Sequence, residues 1–304
     1  MTELKTTSDW STATQIYLDR RVLAMFFLGF SSGLPFGVLA EPMVAWLADS
    51  QVDKTTIGLF SLVSVPYALK FLWAPIMDSV PLPIVTRVFG RRRGWALVTQ
   101  VFLIGSIIKL GFSDPAQNLW WVAVFALGVS FVSASQDIVI DAYRVEILEE
   151  DQLAAGAALA INGWRLSSWG GAAVGLIFSD IVSWPIVFLG LALAVGVGVV
   201  AILLNPEPAT YVSNEAITLE QKAEEFLKHK FYFSTNFSRP IIWLYKSVFC
   251  PFIEFIKRPN WILIILFILF YKFGDAVLTV MKVPFFLELG FSKMEIGTIA
   301  KLIG

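Results

Sequence analysis

The sequence predicts an all-α protein that crosses a lipid bilayer many times, and three observations carry that expectation. Of 304 residues, 57% are hydrophobic and only 15% are charged, with a mean hydropathy of +0.71; a soluble domain carries about 25% charged residues. The apolar residues are gathered into long runs separated by short polar turns, and about 20 such residues in a helix span the roughly 30 Å of hydrocarbon. The few charges inside these runs stand alone, as they do in membrane helices where each is costly.

In chain order, a polar tail (residues 1–19) leads into a first span at 22–48, interrupted by Gly33, Pro35, Glu41 and Pro42. This run exceeds a signal-peptide core and lacks a cleavage site, so it is expected to stay as a membrane helix. A second span, 55–77, contains Pro66, Lys70 and Pro75, and residues 78–94 then bring Arg87, Arg91, Arg92 and Arg93 with a single acid. By the positive-inside rule this loop is cytoplasmic, which puts the N-terminus in the cytoplasm too. Spans at 95–112, 119–142, 153–179 and 184–204 follow. In the fifth, Gly171 and Gly175 have the spacing that lets helices pack closely. Residues 205–259 turn charged and mixed, a cytoplasmic linker in which Ile217, Ala223, Phe226 and Leu227 recur at helical spacing; an amphipathic surface helix and a solvated connector both fit. A seventh span begins at 260, and 292–304 opens an eighth. Its residues rise only about 20 Å, short of the roughly 30 Å of hydrocarbon. The expected domains are therefore the tail 1–19, a six-helix bundle 20–204, the linker 205–259 and an incomplete second bundle 260–304; either the chain is a fragment of a longer reading frame or its end is held in a way the sequence does not show.

Several function classes have no support. The 23 basic and 24 acidic residues leave a net charge of −1, so nothing draws nucleic acid to the chain. The single Cys250 and single His229 cannot form a disulfide or a structural zinc site. Catalytic signatures such as HExxH or a nucleophile elbow are absent from the sequence, so neither an enzyme, a cofactor nor a metal is expected.

The chemistry is concentrated in Ser135-Gln136-Asp137-Ile138-Val139-Ile140-Asp141-Ala142-Tyr143-Arg144. At 100° per residue, Asp137, Asp141 and Arg144 share one helix face. Two carboxylates one turn apart repel if both ionise, so one tends to hold a proton. Asp137 is the first proton-site candidate because Asp141 lies closer to Arg144. In the alternative, Asp141 and Arg144 form a structural or gating ion pair while Asp137 bonds to a neighbouring helix. Lys70, Arg165 and Lys272 are cations that suit anionic substrates; Lys70 can equally serve as a salt-bridge partner of one of the aspartates. Glu41 reads as interfacial and Lys109 as reaching out to the headgroups. Most of the 11 Trp and 26 Phe must face lipid, although some could stack on sugar rings.

Val52-Asp53-Lys54-Thr55-Thr56-Ile57-Gly58 returns loosely as Phe291-Ser292-Lys293-Met294-Glu295-Ile296-Gly297. Six spans, a long loop and a second start resemble the parallel repeat of the major facilitator superfamily. Ala74-Pro75-Ile76-Met77-Asp78 followed by Gly90-Arg91-Arg92-Arg93 resembles that superfamily's loop signature, with an insertion between its parts. Within it, Phe30-Ser31-Ser32-Gly33-Leu34-Pro35, Lys70-Phe71-Leu72-Trp73-Ala74-Pro75, Ser135-Gln136-Asp137 through Arg144, and Tyr271-Lys272-Phe273-Gly274-Asp275-Ala276 resemble the AmpG muropeptide permeases. The acetyl-CoA transporters share some of these motifs. The AmpG resemblance implies proton-driven import of anhydro-muropeptides across the bacterial inner membrane for cell-wall recycling. It adds Asp275 as a second site for a proton or a sugar hydroxyl, and it places Asp78 and Arg91, with Arg144, in gating or structural ion pairs. Two other readings stay open: a remnant that does not transport unless a separately encoded C-terminal half completes it, and a carrier for another anionic substrate such as acetyl-CoA.

Overall fold

The computed structural model describes residues 15–209 and 250–271. The chain divides into two compact units, Met1–Ser213 and Asn214–Gly304, each taken here by itself. All regular structure among the described residues is helical. Among the described residues, five helical stretches are long and apolar enough to cross a membrane: Arg20–Asp49, Lys54–Leu72, Arg91–Gly111, Leu119–Ile147 and Trp184–Leu204. Leu153–Ser179 has the length, 27 residues, but dilutes its apolar side chains with Gly, Ser, Asn162 and Arg165.

The first span is two helices, α1 (Arg20–Leu39) and α2 (Glu41–Asp49). Asp19 caps α1, its carboxylate accepting from the Arg21 N–H at 2.7 Å. Pro35 lies inside α1, and the break at Ala40 falls just before Pro42, which occupies the first turn of α2 where a missing N–H costs nothing.

The second span is the most broken part of the unit. Its pieces are α3 (Lys54–Leu59), a 3₁₀ turn Phe60–Ser64, α4 (Val65–Leu69), a 3₁₀ turn Lys70–Leu72 and α5 (Ala74–Ser79). Pro66 and Pro75 each open one of these pieces, since a proline removes the hydrogen bond that would join it to the preceding turn. A short α6 (Val85–Phe89) follows, then four unbroken helices: α7 (Arg91–Gly111), α8 (Leu119–Ile147), α9 (Leu153–Ser179) and α10 (Trp184–Leu204).

The tightest packing joins α1 to α9. Gly29, Gly33 and Gly37, four residues apart, lie against Ala160, Trp164 and Ser168 at the same spacing, and a Cβ on any of the three would collide with the α9 backbone. Gly163 reciprocates against the backbone of Phe26 and Phe30. Small residues allow this approach. Gly171 and Gly175, singled out by their spacing, meet Leu34 and Pro42 instead, so the sequence signal pointed to the correct helix but to its looser end.

Two apolar core layers stack along the bundle. One gathers Leu34, Val38, Trp46, Leu103, Val122, Phe188 and Leu191; the other Met25, Leu28, Ala96, Val139, Tyr143 and Ile202. Residues at levels between them are polar and fully buried: Ser31, Gln100, Ser130, Ser133 and Gln136. Gln136 Nε2 donates to Ser31 Oγ at 3.0 Å, and Ser31 Oγ donates to the Val195 carbonyl at 3.0 Å. Lipid offers such groups no partner, so the bond between Ser31 and Gln136 is of the internal kind that a membrane interior requires.

In the second unit, α11 (Cys250–Lys257) is followed by Asn260 at a positive φ of 63° and by the apolar helix α12 (Trp261–Tyr271). The expected seventh span is thus described only as far as Tyr271. The linker stretch around 217–227, His229, Lys272, Asp275 and the eighth span lie outside the described residues.

Candidate functional site

A cavity of about 230 Å³ opens beside the polar layer. Asp137, Ile140, Asp141 and Arg144 of α8 form one wall, as expected for residues three and four apart. Gly29 and Ser32 of α1 and Ala160, Ile161 and Trp164 of α9 close the others.

Asp137 is the most enclosed charge there, its side chain 17% exposed. Ser32 Oγ donates to its Oδ1 at 2.5 Å, and Lys70 Nζ lies 3.7 Å from its Oδ2. Charge-assisted hydrogen bonds run to about 2.7–2.9 Å, so the lysine contact is loose. Lys70 reaches Asp137 from a 3₁₀ turn, a geometry that often marks a hinge when found inside a longer helix. Consecutive residues on two facing helices are therefore paired, Ser31 with Gln136 toward the core and Ser32 with Asp137 toward the cavity.

One turn along, Asp141 is more than half exposed and pairs with Arg144 at 3.1 Å. Trp73 Nε1 donates to Ser135 Oγ at 3.0 Å, tying the second span to α8. The wall beyond Asp137 is aromatic. Phe36 lies 5.4 Å from the Trp164 ring and 5.9 Å from the Tyr67 ring, centroid to centroid. Arg165, expected beside the substrate, is exposed and does not line this cavity. It follows Trp164 on α9, and the 100° step carries it off the cavity face.

A second group of charges occupies the end of the bundle where α7 starts and α8 and α10 finish. Asp78 and Arg91 were both expected in ion pairs, and each takes part in one, Arg91 lying 4.0 Å from the Glu146 carboxylate. Arg91 reaches the Asp78 backbone carbonyl at 2.8 Å, whereas Arg92 takes the carboxylate at 2.6 Å. Arg92 also grips Glu146 through Nε at 2.9 Å and through a second nitrogen at 2.5 Å. Its side chain is only 9% exposed. Of three consecutive arginines, only the middle one points inward. Glu146 lies in the last turn of α8.

Glu207 was not anticipated at all. Its carboxylate accepts from the backbone N–H groups of Arg92 at 2.8 Å and Arg93 at 2.9 Å, capping α7 at its positive dipole end. The Tyr143 hydroxyl donates to the Pro206 carbonyl at 2.9 Å, so the exit from α10 is fastened to both α7 and α8. Gly90 sits at φ 88° beside Glu207, a conformation open to glycine and with no room for a Cβ.

Apolar helices of membrane-spanning length with ionisable side chains turned into a shared cavity define a multi-pass membrane protein. The chain belongs to the Major Facilitator Superfamily, whose family model matches residues 22–304. It is 34% identical over 292 residues to the anhydromuropeptide permease of Escherichia coli strain K12, covering 95% of this chain and 53% of that protein. It is 35% identical over 295 residues to an uncharacterized protein of Haemophilus influenzae, covering 96% of this chain and 62% of that one. The chain thus spans about half to three fifths of the length of these relatives.

Proposed function

We propose that the chain serves in proton-coupled import of anhydro-muropeptides across the bacterial inner membrane, with its N-terminus in the cytoplasm. One observation carries the reading: Asp137, which lines a cavity bounded by three helices, is held only loosely by the Lys70 ammonium 3.7 Å away. The resemblance to an anhydromuropeptide permease supplies the substrate class. The arginine-rich segment 87–93 supplies the orientation.

The roles follow from charge. With Asp137 ionised, Lys70 is held by it and Ser32 keeps the carboxylate aimed into the cavity. When Asp137 takes a proton its charge is gone, the attraction to Lys70 ends, and the ammonium is free to meet a peptide carboxylate of the substrate. Proton and anion then travel together. Asp141 and Arg144 form the outer pair that opens or closes the entrance. On the resemblance alone, Lys272 is a further cation for the anionic substrate and Asp275 a second proton or sugar-hydroxyl site.

The test is uptake of labelled anhydro-muropeptide by cells lacking their own permease. The chain is expressed alone and together with the C-terminal half of the Escherichia coli relative. The expected result is accumulation that a protonophore collapses and that Asp137→Asn abolishes while binding persists. Unchanged proton-driven uptake by Asp137→Asn removes the proton role. Absence of uptake in both arms, with the protein present in the membrane, removes the permease reading.

A further inference from the structure

The α8 and α9 walls of the cavity differ in kind, and their difference points to a part of the substrate that Lys70 and Asp137 do not address. The α8 wall presents Asp137, Asp141 and Arg144, a row of acceptors and donors one turn apart. The α9 wall presents Trp164, an indole whose partner is the Phe36 ring at 5.4 Å, itself set against Tyr67. Trp164 is held there by backbone geometry. Gly33 lies against the α9 backbone at Trp164 itself, so the indole springs from the most closely packed stretch of the bundle.

A flat aromatic face opposite a polar edge is complementary to a sugar ring. The C–H groups on one face of a pyranose carry slight positive charge and meet the negative face of the indole. Its equatorial hydroxyls both donate and accept, which a carboxylate and a guanidinium together can satisfy. The size agrees. Pockets that enclose a drug-sized ligand run to roughly 300–1,000 Å³, and this one holds about 230 Å³. It has room for one ring, not for a whole glycopeptide.

We propose that Trp164 is the stacking platform for one pyranose ring of the substrate, with Asp141 and Arg144 binding the hydroxyls along its edge. The assignment rests on the glycopeptide reading above and adds a division of labour to it. Lys70 and Asp137 address the peptide carboxylate and the proton, while Trp164 addresses the sugar.

The experiment uses the purified full chain in lipid nanodiscs and two probes, the peptide-free anhydro-disaccharide and the sugar-free peptide. Trp164→Ala is expected to weaken disaccharide binding about tenfold or more, to leave peptide binding unchanged, and to be rescued by Trp164→Tyr. A second readout works in a folded protein with its tryptophan intact. A cysteine placed by Ile161→Cys in a Cys250→Ser background is protected from maleimide by the disaccharide and not by the peptide. Equal disaccharide affinity in wild type and Trp164→Ala, or no protection at position 161, overturns the sugar platform and leaves the permease reading standing. A wild-type chain that binds neither probe overturns both.

Discussion

The two charged regions of the first unit use the same kinds of side chain and are built differently. At the α7 end, Arg92 is nearly buried, holds two carboxylates at 2.5–2.9 Å, and has its backbone N–H fixed by a third. At Asp137, Lys70 is 37% exposed and stands 3.7 Å from that one carboxylate. The first arrangement has no slack: moving Arg92 strands Asp78 and Glu146 together. The second has a single long contact that the loss of one charge would undo. A forked, permanently charged guanidinium suits a lock, and a lone ammonium on a flexible stem suits a contact that must be made and broken.

The largest effect on stability is expected at the lock. Arg92→Gln should lower unfolding stability by about 2–3 kcal/mol, less than the roughly 3–5 kcal/mol of a fully buried pair because Asp78 and Glu146 reach solvent. A denaturant titration of the purified protein measures it, and an unchanged midpoint would erase the distinction between the two regions. Lys70→Met should change stability by less than about 1 kcal/mol, as a half-exposed pair does, yet cut uptake about tenfold or more. The contrast is sharpened if the two variants separate on these axes and broken if Lys70→Met destabilises as much as Arg92→Gln.

The smallest effect concerns a charge outside both regions. Asp53, fully exposed, caps α3 by accepting from the hydroxyl and the N–H of Thr56, and these bonds hold its carboxyl below the usual value. A lowered folded value means the cap's contribution is complete above the unfolded carboxylate value and is lost as pH falls through the folded one. Amide exchange at Thr56 and Ile57 should therefore accelerate only in acid below the ordinary carboxylate range, and Asp53→Asn should remove that pH dependence.

Much of this was legible in the sequence because hydropathy and helical period are local properties. The fifth and sixth spans were read at Leu153–Ser179 and Trp184–Leu204, where the helices lie. The shared face of Asp137, Asp141 and Arg144 needed only their spacing. What was hidden depends on contacts between distant segments. Arg91, Arg92 and Arg93 are indistinguishable until α8 brings Glu146 to one side of them. Glu207 looked like any acid in a charged linker. The glycines of α1 were obscured by the serines and Pro35 between them, so Gly171 and Gly175 drew notice instead. The second span read as one continuous apolar run, although its prolines divide it.

The glycine ladder along α1 has a mechanical consequence. Backbones that touch without intervening side chains cannot slide, because every shift along the axis would drive one main chain into the next residue opposite. These two helices therefore behave as a single beam, and the wall bearing Trp164 is a fixed edge. Compliance is left to the segmented stretch that carries Lys70, whose short turns can flex at their proline joints without breaking a long run of hydrogen bonds.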